Sequence, residues 1–323
     1  MFALILIVAA LPACELAPQP RRLGEMVSLE TATGTLHGTI DLPAGNGPWP
    51  VVFLHAGSGP TDQDGNQAML RTDCLKMLGR SLAAQGIAVL RIDKRGVRAS
   101  RKALTKEEDI RLDTYAADVT AWTAWLRGQP RFTRIAFAGH SEGSLIGLVA
   151  AKEAKFDAFI SLCGAGRPLA EILREQLKNL PKAQLPPPLL DSSLKIITEL
   201  EAGRPVKDVP ILLRSLFRSS VQPYLISEFR YDPLTLVKAF PGPMLVINGS
   251  TDIQVPPSDG QRLCQARASI RHRVIPDMNH IFKRVPTTDR SVQLPSYMDP
   301  SVPLHPELTG DLLRFLQPLF GMK

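Results

Sequence analysis

Hydrophobic and polar positions change period repeatedly along this chain. Residues 27–42 alternate between the two and are broken by Gly34 and Gly38, which predicts an antiparallel hairpin at a sheet edge. Short apolar runs follow at 51–54, 88–92, 135–138, 158–162, 244–247 and 273–275. Runs apolar on both faces suit a buried parallel sheet. Helical patterns lie between them at 68–85, 114–127 (with Asp113 as N-cap), 144–155 and 306–319, where Pro306 suits a first helical turn. This alternation predicts an α/β fold, a mostly parallel doubly wound sheet with helices on both faces. Residues 164–240 break the rhythm. They carry helical patterns at 169–180, 191–202 and 211–219 around Pro186-Pro187-Pro188, and no strand-like run of comparable strength. We read them as a helical cap or lid inserted between a first core segment, 21–163, and a second, 241–323.

Composition narrows the class. With 44% hydrophobic and 21% charged residues in 323, the chain is globular in type, not disordered. Proline, 28 residues, predicts many stiff loops. A net charge of +7 is modest, and no basic tail appears. The basic run Arg91, Lys94, Arg95, Arg98, Arg101, Lys102 is followed by Glu107, Glu108 and Asp109 without interleaved aromatics; it reads as a solvated face and not as a nucleic-acid surface.

Residues 1–13 are apolar throughout, too short to span a bilayer but of signal-peptide length. Leu11-Pro12-Ala13-Cys14 is similar to a bacterial lipoprotein cleavage box, although Pro12 fits poorly and no basic start precedes it. Residues 1–20 are therefore expected to be a leader. The protein would be exported, periplasmic or tethered to a membrane through lipidated Cys14, and cytoplasmic if the segment is not a signal. Four cysteines are too few for a disulfide scaffold. Cys163, in an apolar run, is expected to be a buried small hydrophobe.

The chemistry concentrates at Gly139-His140-Ser141-Glu142-Gly143, a G-x-S-x-G pattern between a strand and a helix. A serine hydroxyl is a weak nucleophile that must be lifted from the chain and set beside a base. A tight strand-to-helix turn flanked by glycines does the lifting, and the helix N-terminus supplies amide donors. After the strand at 51–54 comes Gly57-Ser58-Gly59-Pro60-Thr61-Asp62-Gln63-Asp64-Gly65-Asn66. With these two motifs the chain resembles the α/β-hydrolase family from about residue 26 onward, and more narrowly bacterial serine esterases whose oxyanion loop reads GSGPTDxDGN.

The resemblance implies a triad in the order Ser, acid, His. The acid is placed at Asp252, just past the 244–247 run, with Asp277 as its rival. The base is placed at His280, in the loop after the last strand. His140 is expected to point away from the nucleophile, and His55 to support the oxyanion loop. The oxyanion donors would be the backbone N–H groups of Ser58 and Glu142. Residues 93–100 resemble the family's D-x-R-G-x-G-x-S turn, with Arg98 where glycine is usual. Asp62 to Asn66 hints at a calcium loop, but its glycine comes too early for an EF-hand, so we expect a hydrogen-bonded turn. No cofactor or metal is implied. The expected activity is cleavage of carboxylic esters of small molecules through an acyl-enzyme. Amide or peptide hydrolysis on the same fold is the alternative, and a non-catalytic binding protein a more distant one. Oligomeric state leaves no mark in the sequence.

Overall fold

The computed structural model describes residues 24–322; the expected leader and Cys14 lie outside them. The strands are β1 (Glu25–Thr31), β2 (Gly34–Asp41), β3 (Trp49–His55), β4 (Ala88–Ile92), β5 (Phe132–His140), β6 (Ala158–Leu162), β7 (Met244–Gly249) and β8 (Arg271–Ile275). They form one sheet in the order β1-β2-β4-β3-β5-β6-β7-β8. β1 and β2 are the expected hairpin. β2 runs antiparallel to β4, and every later pairing is parallel.

The period-2 geometry of a strand explains the two cores. Val51 and Phe53 of β3 face one apolar layer with Phe137, Phe159, Trp122 and Ile146. Val52 and Leu54 face the other, with Leu78, Ile160, Ile247 and Phe315. Helices α1 (Cys74–Ala83), α2 (Leu112–Arg127) and α3 (Glu142–Ala154) supply much of this cover. In the first layer Phe137 lies 5.4 Å from Phe53, edge-on, and 4.8 Å from Phe156, stacked; such pairs add about 1 kcal/mol each beyond burial. α3 presses close on β5 because position 147 is glycine: a Cβ there would sit 2.0 Å from Phe137 Cε1.

Between β6 and β7 the chain is helical, as expected for 164–240. It forms α4 (Leu169–Lys178), α5 (Pro187–Glu201), α6 (Arg214–Phe217), α7 (Gln222–Phe229) and α8 (Pro233–Ala239). After β7 come α9 (Pro257–Ala266), α10 (Arg290–Gln293) and the closing α11 (Pro306–Phe320).

Several expectations need correction. The helix foreseen at 68–85 is only α1. Asn66 Oδ1 accepts from Thr72 N at 2.8 Å and Asp73 N at 2.9 Å, and Asp73 is left-handed at φ 48°, so residues 68–73 stay in the loop. Asp113 does not cap α2, which begins at Leu112; its carboxylate takes Arg230 at 3.0 Å and the Tyr231 hydroxyl. The basic run is not a solvated face. Arg91, Lys94 and Arg95 are buried. Arg91 pairs with Asp41 and Asp64, and Arg95 grips Asp118 with Nε at 2.9 Å and Nη2 at 2.6 Å. Periodicity cannot show such pairing, because the acidic partners lie on other elements.

Candidate active site

Ser141 stands alone between the end of β5 and the start of α3, at φ 54° and ψ −124°. A non-glycine residue held there carries strain of about 1–3 kcal/mol, which its surroundings must hold in place. Its N–H donates to Leu162 O of β6 at 2.8 Å. The flanking glycines are required by contact: a Cβ on Gly139 would lie 2.4 Å from Gly143 O, and one on Gly143 2.6 Å from Ala56 O.

Asp252 and His280, predicted from separate loops, meet. His280 Nδ1 donates to Asp252 Oδ2 at 2.7 Å, in a buried setting. The other carboxylate oxygen accepts from Gln254 N at 2.8 Å and Val255 N at 2.9 Å, which fixes its orientation. Asn279 locks the histidine loop: its Oδ1 accepts from Lys283 N at 2.9 Å and its Nδ2 donates to Ser296 Oγ at 3.0 Å. Asp277 lies apart, with Arg284 at 3.5 Å. Among the described residues Ser141 Oγ makes no hydrogen bond to His280; in unliganded hydrolases this bond is often long and tightens with substrate.

The His140 ring lies against His280, with centroids 4.8 Å apart, and its Nε2 bonds His280 O at 2.9 Å. Burial, helped by His280, lowers its pKa to about 3, so it is neutral near pH 7. His55 bonds Ala56 O at 2.8 Å, at the root of the loop that follows β3. Cys163 is buried as expected, yet its Sγ lies within 4.8 Å of ligand atoms of both Asp252 and His280. Burial and the Asp252 charge push the thiol well up. It therefore stays protonated and is a poor metal ligand, while the Asp252–His280 bond already occupies the other two groups.

The loop after β3 wraps onto Ser141. A Cβ on Gly57 would come 3.0 Å from Ser141 Cβ, so the backbone approaches the serine as closely as glycine allows. Thr61 Oγ1 donates to Ser58 O at 2.7 Å, and Gln67 Nε2 to the same oxygen at 3.2 Å. The segment 62–66 is the expected hydrogen-bonded turn: Asp62 Oδ1 accepts from Asp64 N at 3.0 Å and Asn66 N at 2.8 Å. Burial raises the Asp62 carboxyl to about 6. Arg98, where glycine was expected, does take a left-handed φ of 44° and holds Asp62 at 3.1 Å.

Ser58, Ser141 and Glu142 line one cleft. Its apolar wall is Leu145, Leu169, Ile172, Pro233 and Val255, and the helical segment 164–240 supplies three of these five. Arg167, Gln176, Glu228 and Gln254 add polar atoms. Sequence reasoning missed Glu228 and Lys94. Both are buried, and the carboxyls of Glu142 and Glu228 are both raised by burial. Glu228 sits in an unremarkable helical pattern, and no local signal marks it.

Comparison with known proteins agrees with this architecture. Est1E from Butyrivibrio proteoclasticus superposes with a TM-score of 0.58 at 16% identity, covering 93% of this chain and 100% of that one. XC6422 from Xanthomonas campestris, described as a serine hydrolase without a lid, gives 0.54 at 18% identity, covering 95% and 100%. At such identities the likeness is one of fold. Esterase EstD from Thermotoga maritima is 28% identical over 252 residues, 76% of this chain. The chain spans only 58% of that relative's length. Residues 51–293, which run from β3 past the His280 loop, match the alpha/beta hydrolase family, and the chain belongs to it.

Proposed function

We propose that the protein is a serine hydrolase that cleaves carboxylic esters of small molecules through an acyl-enzyme on Ser141. The observation that carries this reading is the 2.7 Å bond from His280 to Asp252, beside a serine held at a strained turn. The relative EstD bears an esterase name, which supports the same class.

In this reading His280 Nε2 takes the proton of Ser141 as Oγ attacks the ester carbonyl. Asp252 fixes the imidazole tautomer and offsets the imidazolium charge. The Ser58 and Glu142 N–H groups receive the oxyanion. His280 then protonates the departing alcohol, and water repeats the cycle on the acyl-enzyme. His140, its pKa lowered to about 3 and so neutral near pH 7, puts no second positive charge beside the imidazolium. The Leu145, Leu169 and Ile172 wall would receive an apolar part of the substrate, so the segment 164–240 acts as a specificity cap.

The test is Ser141→Ala assayed on short-chain p-nitrophenyl esters, with fluorophosphonate labelling of both forms. We expect loss of labelling and a fall in kcat of about 10⁶-fold. Unchanged turnover would remove Ser141 as nucleophile. Faster cleavage of aminoacyl anilides than of the esters would move the reading to amide hydrolysis.

A further inference from the structure

Lys94 lies in the turn after β4 and is 2% exposed. Its Nζ donates to Gly57 O at 2.5 Å and stands 3.8 Å from Glu142 Oε2. It also lies 5.2 Å from the centre of the Tyr115 ring. Gly57 C=O and Ser58 N–H are the two ends of one peptide unit. Glu142 carries the other proposed oxyanion donor on its own backbone. A single buried cation is thus tied to the residues that furnish both donors.

We propose that Lys94 is a positioning residue of the oxyanion hole: its ammonium bonds Gly57 O, fixing the Gly57–Ser58 peptide and polarising it so that Ser58 N–H becomes the stronger donor. Hydrogen bonds in a chain reinforce one another, the more so at low dielectric. A cation on the carbonyl oxygen draws electron density from the amide nitrogen and enlarges the positive end of N–H. The contact on Glu142 holds the first turn of α3 against the same loop. A merely structural purpose explains Lys94 poorly, because a hydrophobic side chain of similar size would stabilise a buried site as well or better. Glu142 and Glu228, the second of them on α7, compensate the charge. Burial opposes them and lowers the lysine below its ordinary range.

This inference rests on the ester-hydrolase reading, and the experiment separates the two. Wild type, Lys94→Met and Lys94→Gln are compared for kcat and KM on p-nitrophenyl butyrate, for inhibition by an alkylboronic acid, and for cooperative melting. The boronate adduct on Ser141 presents a tetrahedral oxygen to the hole, which the ground-state ester does not. In Lys94→Met we expect kcat to fall about 10- to 100-fold. KM should stay within about twofold, and the boronate inhibition constant should rise in step with the loss in kcat. Lys94→Gln, which keeps a neutral donor, should fall about fivefold or more and serves alone if the methionine variant does not fold. A folded Lys94 variant with unchanged kcat, or a change confined to KM, would overturn the proposal. A wild type that neither labels nor turns over ester overturns the esterase reading and this inference together.

Discussion

The two flanks of Ser141 are built on opposite principles. On one flank, Asp252 and His280 sit in loops after adjacent parallel strands and meet in a single oriented bond, with neutral His140 packed beside them. On the other flank, Lys94, Glu142 and Glu228 come from three elements far apart in the chain and form a largely buried cluster of ionisable groups. In the proposed mechanism the first flank transfers the proton and needs few charges. The second surrounds the place where negative charge would develop, and there a low dielectric makes a fixed cation effective at short range. On the proposed mechanism, the fold separates base chemistry from anion stabilisation by giving each its own side of Ser141.

The sharpest way to break the contrast is to disable the first flank alone. Asp252→Asn should lower kcat by about 10⁴-fold and leave the melting transition cooperative. Asp277→Asn, which lies outside the Asp252–His280 pair, should change kcat by less than about threefold. Similar losses in the two variants would reassign the acid.

A smaller effect should appear in stability. The folded protein keeps His140 neutral down to about 3, whereas the unfolded chain takes up that proton from about 6.5 downward. Neutral His140 therefore stabilises the fold fully above pH 6.5, and that contribution is lost as pH falls toward 3. Each such group adds a slope of about 1.4 kcal/mol per pH unit in that window. Unfolding by urea at pH 7 and pH 5 should give a pH dependence shallower by about 2 kcal/mol in His140→Gln than in wild type. Asp62, raised to about 6, acts in the opposite direction but equally in both proteins. Parallel curves would show that His140 is not the group being protonated.

The smallest expected effect concerns the cap. Leu169→Ala opens the apolar wall, so the preference of kcat/KM for longer over shorter acyl chains should rise about three- to tenfold. Fluorophosphonate labelling should change little. An unaltered chain-length series would remove α4 from substrate selection.

Much of the site could be read before the fold was seen. Gly139-His140-Ser141-Glu142-Gly143 and Gly57-Ser58-Gly59 are local devices: the residues that make each turn are neighbours in sequence. The order Ser141, Asp252, His280 came from the resemblance to the family, with each residue placed just past a predicted strand. Asp113 was misassigned because a capping residue and a surface partner of Arg230 look alike locally. The charged run at 91–102 was misread for the same reason, since the partners that bury Arg91 and Arg95 lie on β2 and α2.

By itself the sequence determined the alternation of strand and helix, the sheet class and the turn that presents Ser141, because backbone sterics and side-chain periodicity act over a few residues. Only the tertiary structure decided that Asp252 rather than Asp277 meets His280, that His140 turns back onto it, and that Lys94 reaches Gly57. Those pairings depend on loops brought together across the sheet, where a shift of one or two ångströms decides whether a bond forms.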